Sequence, residues 1–335
     1  MSILHSISRA IAADSLVTID LWLLGLMAIS VGIAVYVRAL PPRRVSGIDR
    51  LVPGRPAWLL TAVLFMSLCV YLFTISLYST LKYPPAQAAT QPARPPNYSA
   101  VDNAFFSTVP GILGFCAMLL GDRFVRRTTG HDLGSDLRRL PSGTLQGLVG
   151  VLIVVPPLFL LEQLLESVYR WVHFEHPTEH PLLHVLGQRP NPLVTGAIIF
   201  GACVVAPLFE ELVFRGHLQT LLRRMFAGLL RPNDLDIPMA TRLEEAEVVK
   251  ALPPTVIESA SRAGPNSWST WAAILVTSIA FASVHPAWSQ PIIFALSVCL
   301  GYAYERTGNL WVPVTIHAVF NTISTAIFLS GLGTR

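Results

Sequence analysis

The sequence predicts an all-α fold, a polytopic membrane helical bundle of about eight transmembrane helices, from three observations. Only 13% of the 335 residues are charged, against roughly 25% in an average soluble domain. The mean hydropathy is +0.54. The apolar residues also arrive in long blocks, and a block of about 18 or more with few charges can cross a hydrocarbon layer about 30 Å thick.

Taken in order, the blocks fall at residues 16–37, 57–78, 105–121, 145–165, 193–222, 271–285, 291–304 and 310–329. The first is too long for the apolar stretch of a signal peptide and lacks a small-residue cleavage site after it, so it is expected to stay as an uncleaved helix. The third, sixth and seventh are short for a full crossing, which leaves a re-entrant path open for one of them.

Basic residues sort by loop. Arg38, Arg43, Arg44, Arg50 and Arg55 follow the first block; Arg123, Arg126, Arg127, Arg138 and Arg139 follow the third; Arg223, Arg224, Arg231, Arg242, Lys250 and Arg262 follow the fifth. The intervening segments hold few. By the positive-inside rule these three loops are cytoplasmic, and both termini are expected on the non-cytoplasmic side of a plasma (inner) membrane. The same placement accounts for the net charge of +4. No Lys/Arg run interleaved with aromatic residues is present, so nucleic acid is not expected as a partner. The four cysteines, Cys69, Cys116, Cys203 and Cys299, lie inside apolar blocks without CxxC spacing and are expected to pack as small hydrophobes.

Two regions follow from this layout. Residues 1–192 hold about four helices and a Pro-rich external linker, Pro84 to Pro96; residues 193–335 hold about four more, with a polar cytoplasmic insertion at 224–269. No internal repeat relates them.

Polar residues inside apolar helices are costly, about 2.5 to 3.5 kcal/mol for a charge near the bilayer centre, and mark candidate function. The fifth block carries Glu210, Glu211 and Arg215. Glu211 and Arg215, four apart, suit a structural ion pair, while Glu210 lies about 100° round the helix and is free to face elsewhere or to share that pairing. The sixth block ends in His285, and the eighth carries His317 and Asn321 on one face. At 1.5 Å per residue from their cytoplasmic ends, Glu210 lies about 18 Å deep, His285 about 21 Å, and His317 and Asn321 about 11 to 17 Å. Four polar residues on three helices thus share a level, although each alone would also serve as an interhelical hydrogen bond.

Glu210-Glu211-xxx-Arg215, Phe281-xxx-His285 and His317-xxx-Asn321, in this order, resemble the CPBP family of intramembrane proteases, which includes the type II CAAX prenyl endopeptidases (the ABI family). The run from Gly301 to Trp311 is similar to that family's approach to its last motif. The resemblance covers the C-terminal core and implies an eight-helix endopeptidase that cuts membrane-associated or lipidated protein substrates within the bilayer. It implies Glu210 as the base that activates water, His285 as its helper, and His317 with Asn321 as the oxyanion-stabilising pair.

The same residues admit a zinc reading. Glu210, His285 and His317 would form a His₂Glu set with an open position for water, and family members are commonly classed as metalloproteases. No HExxH is present, and the reading leans towards a metal-free glutamate mechanism. A rival function class is a membrane carrier or immunity-type binding protein that uses buried Glu and His as a proton relay, disfavoured because the two halves do not resemble each other. His173, His176, His180 and His184 form a second histidine group. Pro177 and Pro181 interrupt any helix that would align it, so an incidental surface loop is expected.

Overall fold

The computed structural model describes residues 58–83, 98–129, 133–175, 181–188, 190–229 and 268–330. Among these residues the fold is helical and contains no strand. The predicted first helix, the whole Pro-rich linker and most of the insertion lie outside the described residues.

The helices are α1 (Trp58–Lys82), α2 (Ala100–Thr129), α3 (Leu140–Trp171), the short α4 (Pro181–Gly187), the compound helix α5, then α6 (Trp268–Ser283), α7 (Gln290–Thr307) and α8 (Trp311–Leu329). α5 is continuous through Pro192–Phe200, Gly201–Val205, Ala206–Glu211, Leu212–Gln219 and Thr220–Leu229; its second and fourth parts are π-helical. Every apolar block from the second to the eighth has its helix. Five spans are long and apolar enough to cross a membrane: Thr61–Lys82, Ala100–Phe124, Leu137–Trp171, Pro192–Phe226 and Trp311–Leu329. α6, with 16 residues, is about 24 Å long.

α2 corrects an expectation. It has 30 residues rather than a short block, because Asp102 and Asp122, which interrupt the hydropathy pattern, are buried and paired rather than ending the helix. Asp122 lies 3.0 Å from His217 Nε2. Asp102 accepts from Tyr78 Oη at 2.7 Å, Tyr83 Oη at 2.8 Å, and the Ser99 backbone N–H and hydroxyl at 2.7 and 2.6 Å, and it pairs with the Lys82 ammonium. This carboxylate therefore ties the top of α1 to the start of α2.

Two further expectations shift. The ends of the 224–269 insertion are helical, since α5 runs on to Leu229 and α6 begins at Trp268. Cys69 and Cys116 face outward instead of packing inside, whereas Cys203 is buried, 3.8 Å from Thr325 Oγ1. The lipid-facing side of a membrane helix is as apolar as its core, so hydropathy alone does not sort the two.

What positions the site is the seating of α8. Gly143 and Gly147 of α3 lie against it, and a Cβ on either would meet Trp311 Cβ or Thr315 Cβ at 2.5 Å, so only glycine permits this approach. α3, α7 and α8 share a buried cluster that includes Val154, Leu158, Leu296, Leu300 and Ile316. The N-terminal start of α8 is stitched to the turn before α3. Leu310 N–H donates to Gly134 O at 3.2 Å, Trp311 Nε1–H to Asp136 O at 3.0 Å and Asn309 Nδ2 to Arg139 O at 3.2 Å. Gly308 ends α7 at φ 59, a left-handed cap that glycine adopts at little cost.

Replacing Asp102 strands two phenols and an ammonium without their acceptor. Asp102→Ala is expected to destabilise the chain by about 2 to 4 kcal/mol. Thermal unfolding in one detergent checks this; an unchanged midpoint would mean that the α1–α2 closure rests on aromatic packing alone.

Candidate active site

The site is built from α5 outward. The two π-helical parts of α5 bracket Ala206–Glu211, and the first of them has a cause in the sequence. In the π register Ala206 N–H bonds Gly201 O, five residues back, so the next bond would run from Pro207 to Ala202 O. Proline has no N–H, and Ala202 O is left over. Asn321 of α8 supplies the missing donor, with Nδ2 at 2.8 Å from Ala202 O. The asparagine thus pins α8 to the turn of α5 that carries the carboxylates.

Glu211 and Arg215 form the expected pair. Arg215 Nη1 donates to Glu211 Oε1 at 2.9 Å, and both side chains are fully buried. Arg215 Nη2 donates to Ser297 Oγ at 2.7 Å and Ser297 O at 3.2 Å on α7, and the guanidinium carbon stands 4.6 Å from the Phe281 ring centroid. Arg215 therefore joins α5, α6 and α7.

Glu211 does more than balance that charge. Its Oε1 is 2.9 Å from His317 Nδ1. A carboxylate accepts, so Nδ1 carries the proton in this bond and the ring is fixed with Nε2 on the other side. His317 Nε2 then stands 3.8 Å from Glu210 Oε2. The histidine is 4% exposed and Glu210 27%, which makes Glu210 the reachable member of the acidic pair. Glu210 takes no share in the Arg215 hydrogen bonds that hold Glu211.

His285 lies just past the end of α6, half-buried in the turn rather than inside the helix. Its Nδ1 donates to Phe281 O at 2.8 Å, which leaves Nε2 uncommitted. Phe281 is fully buried and touches both histidines, with ring centroids 4.9 Å from His285 and 5.7 Å from His317. The structure thus gathers Glu210, Glu211, Arg215 and His317 directly, brings His285 alongside through Phe281, and places Asn321 one turn beyond His317. Ser297, Ala202 O and the Glu211–His317 bond are additions that the sequence reading missed.

The second histidine group divides. His173 sits in the turn after α3 at φ 55 and His184 lies in α4, while His176 and His180 are outside the described residues. For zinc, no three His, Cys, Asp or Glu side chains among the described residues converge as a metal-binding set. Glu210, His285 and His317 do not fit the His₂Glu arrangement as placed.

Comparison with known proteins enters at this point. Residues 192–323 match the family model described as Rce1-like: Type II CAAX prenyl endopeptidase Rce1-like. The matched stretch opens with α5, ends inside α8 and contains all six residues singled out above. No curated protein and no solved structure matches the chain. The segment that builds the site is accordingly similar to a type II CAAX prenyl endopeptidase Rce1-like domain, and the chain that carries it is an integral membrane protein.

Proposed function

We propose that this chain is an intramembrane endopeptidase that hydrolyses a peptide bond near the lipidated, CAAX-type end of a membrane-associated protein, with residues 193–335 as the protease core. The observation that carries the site assignment is the Glu210–His317–Glu211 arrangement, in which one carboxylate is locked and the other is reachable. Glu210 takes a proton from water as its oxygen bonds to the scissile carbonyl carbon. The tetrahedral intermediate collapses with loss of the amine, to which Glu210 returns the proton. His285 Nε2 orients that water.

His317 Nε2 and Asn321 face the developing oxyanion. With Nδ1–H committed to Glu211, His317 donates through Nε2 only when that nitrogen also carries a proton. Asn321 has two amide hydrogens and gives one to Ala202 O, leaving one for substrate. Donors fixed before the reaction cost no reorganisation, and each is worth about 10² to 10³ in kcat. The way these residues are placed, with no three His, Cys, Asp or Glu side chains among the described residues converging on one point, supports metal-free chemistry. The distribution of basic loops supports a plasma-membrane topology with both termini outside.

Glu210→Ala is expected to lower cleavage of a prenylated CAAX peptide in proteoliposomes by about 10² to 10⁴-fold with helical content unchanged. Cleavage that survives the change would remove the site assignment and reopen the carrier reading. Glu211→Gln weakens the hold on His317 without emptying the space. Its expected effect is a fall in kcat of about 10 to 10³-fold with KM retained, measured on the same peptide. For the metal, prolonged chelation is expected to leave the rate unchanged; stoichiometric bound zinc together with chelator-sensitive turnover would overturn the metal-free chemistry.

A further inference from the structure

α6 cannot hold His285 in its own ladder. Pro286 has no N–H to return to Ala282 O, and that carbonyl is met instead by His285 N–H at 3.0 Å, so the chain leaves the helix at the residue whose ring serves the site. The turn that follows is stiff. Ser289 N–H and Oγ both donate to Pro286 O at 2.9 Å, and Gln290 Nε2 donates to His285 O at 3.2 Å. A hold on any part of so short a unit is therefore felt at His285, whose ring lies within electrostatic reach of Glu210.

The hold comes from α3. Tyr169 Oη donates to Trp288 O at 2.8 Å, across 119 residues of sequence. Tyr169 is itself set by the way α3 ends. Phe174 N–H donates to Tyr169 O at 2.9 Å and His173 N–H to Arg170 O at 3.3 Å, with His173 at φ 55 and the Phe174 ring centroid 5.3 Å from that of Tyr169. This is a Schellman closure, in which a left-handed residue after the last turn and an apolar contact across it seal the helix end. His173 fills the position that glycine usually takes. The closure fixes the last turn of α3, and with it the place from which the phenol reaches Trp288.

We propose that Tyr169 is a positioning residue for His285: the capped end of α3 holds the 285–290 turn through Trp288 O and so aims the imidazole towards Glu210. A group that orients water has to be held within about 0.5 Å of its productive place, and a ring carried on a turn meets that demand only if the turn is fixed. Tyr169 lies outside the matched stretch, residues 192–323, so the N-terminal region takes a part in the site beyond its seating of α8. The effect on rate rests on the protease reading, whereas the restraint on the ring does not.

Tyr169→Phe removes the hydroxyl and keeps the ring, and two measurements on the full chain in phospholipid nanodiscs read the result. The first is the ¹⁵N spectrum of histidine-labelled protein, with the His285 signals identified by their loss in a His285→Gln chain. In the wild type Nδ1 is expected to carry the proton, as its bond to Phe281 O requires, and in Tyr169→Phe the two ring nitrogens are expected to shift towards each other as the ring exchanges between tautomers. The second is cleavage of the prenylated CAAX peptide. Tyr169→Phe is expected to lower kcat about tenfold with KM unchanged. In the His285→Gln background the same change is expected to alter kcat by less than about twofold, because the residue through which Tyr169 acts is already gone. A purely structural role predicts an undiminished loss there, and that outcome would overturn the proposal. So would His285 signals that stay as in the wild type when the hydroxyl is removed. The spectra are recorded without substrate, so a Glu210→Ala chain that still cleaves would remove the protease reading and leave the restraint on the ring standing.

Discussion

A buried guanidinium sets the terms for the rest of this bundle. Arg215 is fully enclosed, and an unpaired charge at that depth would cost several kcal/mol. Its neutralisation draws a carboxylate from its own helix, a hydroxyl and a carbonyl from α7 and a ring face from α6. Once Glu211 is held in this way, the same carboxylate oxygen also accepts from His317, and α8 is fixed in azimuth. The geometry of the proposed site is thus a by-product of solving an electrostatic problem.

A second constraint is steric and local. Pro207 removes one N–H from α5 at the point where the helix has widened, and the orphaned carbonyl is met by Asn321 from a helix 119 residues away in sequence. A defect in one helix becomes the docking point for another. Together the two constraints place the carboxylates, the histidine and the amide on facing surfaces without any loop having to carry them, which suits a site that must hold its shape in lipid.

The helices were legible because apolar length is a property of contiguous residues. Their ends were less so: Asp102 and Asp122 read as boundaries of α2, and only the distant Tyr78, Tyr83 and His217 reveal them as interior. Glu211 and Arg215 could be paired on paper because four-residue spacing is local. The bond from Glu211 to His317 spans 106 residues and has no local signature, and Ser297 looks like any small residue of a membrane helix. The π register was illegible for the same reason, since Pro207 alone does not say which distant donor replaces its N–H. The polar series Glu211, Arg215, Gln219 and Arg223 was visible in the sequence, but what it faces became clear only with α7 alongside.

The Arg215 arrangement also bears on how the chain is made. Its partner Ser297 lies 82 residues further on and is synthesised only after α5 has left the ribosome. During that interval the helix must reside in or beside lipid with its charge uncovered on the α7 side. Glu211, one turn away on the same helix, is available from the moment the turn forms. The intrahelical pair is therefore the one partner the guanidinium can have through membrane insertion, and it meets the residues of the proposed site only when α7 and α8 arrive.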